Sequence, residues 1–247
     1  MTAGKRILKV IDALLAPPFC AFCMMHFIAR GNEPGLLQEI HICQQCLSAL
    51  PRRTGERLLM PTLDQRLRQY APELARYDGL TIAALDYTEP VAHAIRNLKF
   101  HEQTALSKPL GYLLSEALKR CDRITGNEIL IPLPLHAKRQ RERGYNQTAL
   151  LARSIRKHLP VEVDEGMMVR SKVTQRQSEM NDVLARVSNV EGAFELRAGR
   201  DLSGCRFIVL DDVLTSGATL VSAFKTLKEA GASEVIGLAV ASGRQSL

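Results

Sequence analysis

The 247-residue chain contains no tryptophan, and aromatic residues make up only 5% of it. A broad aromatic platform on which successive bases stack is therefore not expected. Nor is there an apolar run long enough to cross a bilayer. The richest stretch, residues 1–16, is broken by Lys9 and Asp12, which suits neither a membrane span nor a signal-peptide core. It reads instead as a short amphipathic helix packed on the protein. The chain has no internal repeat, no low-complexity tract, no Gly-Lys-Ser/Thr ending of a Walker A loop and no GxGxxG fingerprint. These absences point to a soluble, cytoplasmic globular protein without membrane insertion.

Acidic residues are the scarcer charge: 26 against 33 Lys and Arg, a net charge of +7 and a pI near 9.2. That balance suits phosphorylated ligands or nucleic acid as partners and says nothing of fold. With 46% hydrophobic residues the chain can bury a sizeable core, as one large domain or as an ordinary domain with a small companion.

Residues 207–219, FIVLDDVLTSGAT, carry the most information. Four apolar residues form a buried strand that runs into Asp211 and Asp212. A small, hydroxyl-rich turn of Thr215, Ser216, Gly217, Ala218 and Thr219 follows. Leu220, Phe224 and Leu227 then fall on one face of a helix. Open parallel sheets bind ligands beyond the carboxyl ends of their strands. A loop opening a helix at that place offers free N–H groups and a positive dipole end to an anion. The turn suits a phosphate and the paired carboxylates suit vicinal hydroxyls or a metal, so a phosphorylated sugar satisfies both. An ordinary strand ending in a capped helix explains Asp212 or Thr215 singly, but not the ordered set.

Four of the six cysteines form two pairs, Cys20-x2-Cys23 and Cys43-x2-Cys46. Each pair places two thiolates on one turn, and two such turns close a tetrahedral Zn²⁺ site. A redox CxxC normally stands alone beside a βαβ unit, and a disulfide module normally belongs to a secreted protein. Four thiolates leave no open coordination position, so the expected Zn²⁺ is structural. His26 and His41 stand near the cysteines and read as loop histidines.

The expected organisation is an amphipathic helix and zinc-ribbon arm over 1–52, a connector over 53–78 and an α/β domain over 79–247. Strands are expected at 80–87, 129–133, 207–210 and 235–240. Helices are expected at 91–100, 105–120, 147–158 and 218–230. Strands interleaved with helices of this length imply a mainly parallel sheet. A basic loop carrying Lys138, Arg139, Arg141 and Arg143 follows the strand at 129–133, where guanidinium forks suit paired phosphate oxygens. The polar stretch 170–194 has the character of a lid, with Thr174, Arg176, Gln177 and Arg186 as its contacts. Arg52, Arg53, Arg57, Arg66 and Arg68 make the arm basic, which suits single-stranded DNA or merely a solvated face.

The 207–219 segment resembles the phosphoribosyl pyrophosphate (PRPP) signature of type I phosphoribosyltransferases at all thirteen positions. The paired cysteines, IRNLKF at 95–100, PLPLH at 132–136, RGYNQ at 143–147, and Arg170, Thr174, Gln177, Arg186, Asn189 and GAF at 192–194 extend the likeness. In that order they resemble the ComF/GntX family of phosphoribosyltransferase-like proteins over essentially the whole chain. Ser216 stands where many members carry a second Thr. The resemblance implies a type I phosphoribosyltransferase-like fold with an N-terminal zinc ribbon and a role in DNA uptake, or nucleotide metabolism. It implies that Asp211 and Asp212 face the ribose hydroxyls, that residues 215–219 hold the 5′-phosphate, and that Mg²⁺ accompanies the diphosphate. The acceptor stays open. A Mg²⁺-dependent phosphoribosyltransferase and a non-catalytic PRPP or nucleotide sensor, binding single-stranded DNA or a competence helicase, are both compatible with these residues.

Overall fold

The structure is a computed structural model that describes residues 19–25, 40–171, 192–197 and 201–244. The helix expected at 1–16, His26, and the lid residues Thr174, Arg176, Gln177, Arg186 and Asn189 lie outside the described residues.

In chain order the helices are α1 (Gln44–Ala49), α2 (Gln65–Tyr70), α3 (Pro72–Ala75), α4 (Glu89–Phe100), α5 (Ser107–Lys119), α6 (Ala137–Arg143), α7 (Gln147–Ile155) and α8 (Ala218–Glu229). The strands are β1 (Leu59–Pro61), β2 (Leu80–Asp86), β3 (Ile129–Pro132), β4 (Glu162–Val163), β5 (Met168–Arg170), β6 (Phe194–Leu196), β7 (Arg206–Leu214) and β8 (Glu234–Ser242). Six strands form one sheet in the order β1-β2-β8-β7-β3-β4, in which only β1 runs antiparallel. A separate ribbon pairs β5 with β6.

The central strands are apolar on both faces, as strands covered by helices on each side must be. On β7, Ile208 and Leu210 join one core while Phe207 and Val209 join the other. On β8, Ile236, Leu238 and Val240 face the first core and Val235 and Ala239 the second. The first core takes the apolar faces of α4, α5 and α7, including Ile95, Leu110, Leu114, Leu151 and Ile155. The second takes Leu220, Phe224 and Leu227 of α8. Each such fully buried aliphatic or aromatic side chain contributes about 1.5–3 kcal/mol. Helices α5 and α7 approach closely because Gly111 has no Cβ: one built there would lie 2.4 Å from the Ser154 Cβ.

The cysteine-bearing segment does not stand apart from the domain. Cys20, Ile40 and Ile42 are buried in the same core as Leu110 and Leu114, and Lys108 Nζ lies 3.1 Å from His41 Nε2. Four of the arm's five arginines have partners within the chain, although Arg57, Arg66 and Arg68 stay exposed. Arg53 is 1% exposed and bonds Asp86 Oδ1 at 2.9 Å, while Arg57 reaches the same carboxylate at 2.6 Å. Arg68 pairs with Asp78 at 2.5 Å, and Arg52 donates to the Leu47 carbonyl at 3.0 Å. A second departure concerns the basic segment after β3, expected as a loop. It is helix α6, begun by His136 Nδ1 accepting from Lys138 N and stopped by Gly144 at φ +79°. The acidic pair also lies inside β7, which continues to Leu214, rather than just past its end.

Candidate functional site

The carboxyl ends of β2, β3, β7 and β8 open into one cleft of about 920 Å³. Tyr87 follows β2, Leu133–Leu135 follow β3, Asp211–Ser216 and Thr219 come from β7 and its turn, and Gly243 and Arg244 follow β8. The crevice where parallel strands end is where such sheets take their ligands. Of the residues expected there, Asp211, Asp212, Thr215, Ser216, Thr219, Arg139 and Arg143 line it. Gly217 and Ala218 lie buried behind that lining, and Lys138 and Arg141 sit on the exposed side of α6.

The turn is held rigidly from behind. Gly217 has φ +85°, and a Cβ there would stand 1.8 Å from the Thr62 carbonyl oxygen. Only glycine accommodates both that conformation and that approach. Asp64 N donates to the Ser216 carbonyl at 2.9 Å, fastening the connector to the turn. Ser216 itself is 8% exposed, and its Oγ is buried without a hydrogen-bond partner among the described residues. A buried hydroxyl without a partner calls for an explanation. Here it lines the cleft at the start of α8, where the dipole favours an anion.

The acidic pair is asymmetric. Asp212 is 5% exposed; Lys99 Nζ lies 2.7 Å from its Oδ1, and Gln147 Nε2 donates to its Oδ2 at 2.8 Å. Gln147 in turn accepts from Arg143, whose guanidinium lies 5.1 Å from the centre of the Phe100 ring. Asp211 keeps part of its surface open to the cleft, and its Oδ1 accepts from Asp212 N at 2.8 Å. Its deep setting raises the Asp211 pKa first, and the Asp212 carboxylate raises it further. Lys99, the Asp212 N–H and Arg170 oppose them, and the balance is about 7. Arg170 ends β5 with its guanidinium 5.3 Å from the centre of the Phe194 ring. Burial lowers its pKa, Asp211 opposes that, and nearby Arg139 adds to it, so Arg170 feels both the acidic pair and the basic helix.

Lys99, Gln147, Arg170 and Arg244 are cleft residues for which the sequence suggested no role. Lys99 and Gln147 fall within the IRNLKF and RGYNQ stretches, but their meeting with Asp212 is a product of the fold.

A family model described as "Phosphoribosyl transferase domain" matches residues 148–247. The chain is 27% identical over 232 residues to "DNA utilization protein YhgH" of Salmonella typhimurium, covering 90% of this chain and 96% of that protein. It is 33% identical over 153 residues to "Competence protein F" of Haemophilus influenzae, covering 60% of this chain and 66% of that one. The chain belongs to the ComF family. At the level of coordinates this ComF protein is similar to a chain titled "Structure of the allosteric regulatory enzyme of purine biosynthesis". The identity is 14%, the coverage 59% of this chain and 30% of that one, and the TM-score 0.37.

The ComF chain's second centre is the cysteine knuckle. The sulfurs of Cys20, Cys23, Cys43 and Cys46 all lie within 4.8 Å of one another, with Cys23 Sγ and Cys43 Sγ 3.9 Å apart. Sulfurs about 2.3 Å from a tetrahedral ion stand about 3.8 Å apart, so the group fits a metal. Cys43 N and Cys46 N each lie 3.4 Å from a sulfur, of Cys20 and Cys43, which orients the ligands.

Proposed function

We propose that this protein binds PRPP with Mg²⁺ in the cleft and acts as a phosphoribosyltransferase in DNA uptake or DNA utilisation. Names of that kind belong to its relatives, and the site's chemistry supports the rest. The buried, unpartnered Ser216 Oγ in a turn that only glycine can close carries the reading. It marks a place built for an acceptor-rich group such as the 5′-phosphate. The acidic pair, on the strand that feeds the same turn, suits the ribose diol. Arg139 and Arg143 of α6, which line the same cleft, suit the diphosphate.

When bound, Mg²⁺ would supply countercharge to the diphosphate, and Arg139 and Arg143 of α6 would add theirs. The chain's own residues position the sugar and stabilise positive charge developing on the ring, so no nucleophile from the protein is required. The knuckle holds Zn²⁺ as a structural ion: four thiolates exclude water from the metal.

Titrating PRPP into the protein with and without Mg²⁺ tests the reading. Micromolar binding, worth about 8 kcal/mol, is expected only with the metal. No binding under either condition sinks it. Diphosphate release with a set of acceptors then separates transferase from sensor. The sensor reading gains little from the arm, because Arg53, Arg57 and Arg68 are engaged in internal ion pairs.

A further inference from the structure

We infer that the acidic pair divides its work: Asp212 is a positioning residue pinned by Lys99 and Gln147, and Asp211 alone offers an unengaged carboxylate oxygen to the sugar hydroxyls. The inference rests on the PRPP reading of the cleft and deepens it.

The geometry differs between two neighbours on one strand. Asp212 has a charged donor on one oxygen at 2.7 Å and an amide donor on the other at 2.8 Å, and it is 5% exposed. These donors come from two elements, the last turn of α4 and the first residue of α7. Asp212 therefore joins α4, α7 and β7 at the cleft wall. An ion pair this deep is strongly destabilising when one partner is removed, because the other charge is left buried. That is the behaviour of an anchor.

Asp211 is the other case. Its only hydrogen bond among the described residues is from Asp212 N to Oδ1, and its second oxygen has none. It remains partly open on the cleft wall. The charges that act on it are Asp212 beside it, Lys99 from α4 and Arg170 from β5. Neither cation has a hydrogen bond to it, so a diol meets an oxygen with its lone pairs available. The ammonium of Lys99 neutralises Asp212, and the pair then carries one net negative charge toward the sugar when Asp211 is ionised. An acid that must lose its proton before accepting two hydroxyl hydrogen bonds gives ligand affinity a pH dependence, and that dependence identifies which carboxylate touches the ligand.

The test is calorimetric titration of PRPP with Mg²⁺ from pH 5.5 to 8.5 into the full chain and its variants, with melting curves for each. Wild-type affinity is expected to fall below about pH 7. Asp211→Asn should weaken binding about 30-fold or more, flatten the pH profile and leave the melting temperature unchanged or raised. Asp212→Asn should lower the melting temperature and keep a pH-dependent affinity whose midpoint moves to lower pH, since the neighbouring charge that raises Asp211 is gone. Lys99→Met should also lower the melting temperature and keep a pH-dependent affinity, with its midpoint moved to higher pH, and Lys99→Arg should restore both. If Asp212→Asn does not fold, Gln147→Met withdraws one donor while leaving the charge pair, and the wild-type pH profile is expected. A flattened profile in Asp212→Asn, or in Gln147→Met, would overturn the division of roles, as would wild-type affinity in Asp211→Asn. Absence of wild-type binding would instead overturn the PRPP reading and the division with it.

Discussion

The Arg244 guanidinium donates to the Thr62 carbonyl oxygen at 2.6 Å, and that oxygen is the atom a Cβ on Gly217 would strike. Three distant parts of the chain thus meet behind the hydroxyl turn: the connector, the turn itself and the segment after β8. Arg53 completes the fastening, donating to the carbonyls of Ser242 and Arg244 while holding Asp86. The turn's shape is imposed by this backing and needs no ligand to create it.

Gly217→Ala should therefore lose PRPP affinity and stability together. A left-handed non-glycine residue and a backbone clash at 1.8 Å cost at least about 2 kcal/mol. Urea unfolding gives the cost directly, and an unchanged midpoint would show that the turn yields. Arg244→Ala should weaken binding with a smaller stability loss, because Asp64 still holds Ser216.

Asp211 makes the ligand-free protein less stable as pH rises. Its folded pKa of about 7 stands above its ordinary value of 3.8. Between those two values the folded state holds more protons than the unfolded one, so stability falls as pH climbs through this window and stays reduced above it. Asp211→Asn should abolish the slope and melt at least about 2–4 °C higher than wild type at pH 8. Thermal melts from pH 5 to 8.5 check both features.

Glu128 should do the opposite at acid pH. Burial to 3% exposure pushes its pKa up, but hydrogen bonds from Thr125 and Gly126 outweigh that and hold it below the ordinary value of 4.5. Its stabilising effect is present above the unfolded pKa and is lost as pH falls through the folded one. Arg206 Nε, 3.1 Å away, adds to the stake. Glu128→Gln should cost about 2–4 kcal/mol at pH 7 and show a shallower acid limb, read by urea unfolding from pH 3 to 7.

The knuckle shares a core with α5, so metal loss should be felt beyond the arm. Freshly purified protein should contain one equivalent of zinc, released when the thiols are titrated. Cys46→Ser should lose the metal and lower the melting temperature of the whole cooperative transition. A separate, earlier transition with the main one unmoved would mean that the arm folds independently.

Much of this was legible in local patterns. Apolar runs such as Phe207–Leu210 marked central strands, and Leu110, Leu113, Leu114 and Leu118 marked the buried side of α5. The paired cysteines announced their own meeting. What could not be read was long-range pairing. Nothing in the pattern of β1 shows that Leu59 will face Ile82, because a three-residue edge strand has too short a period. Arg53 looked like one member of an exposed basic run, since sequence shows a charge but not the Asp86 carboxylate that lets it be buried. Lys99 and Gln147 carried no assigned role for the same reason. The basic helix α6 was hidden by its high charge and by Gly144 so soon after its start.

The sheet order has a consequence for synthesis. Strand β8 comes last of the eight strands among the described residues yet sits between β2 and β7, pairing with both along most of its length. Until it enters, β1-β2 and β7-β3-β4 are separate fragments, each presenting a long, apolar, unpaired edge. During translation those edges wait, exposed to wrong partners, for a strand made after both of its neighbours, and parallel pairings so distant in sequence close slowly. The cleft, whose floor is the carboxyl end of that same strand arrangement, comes into being only when β8 has entered between β2 and β7.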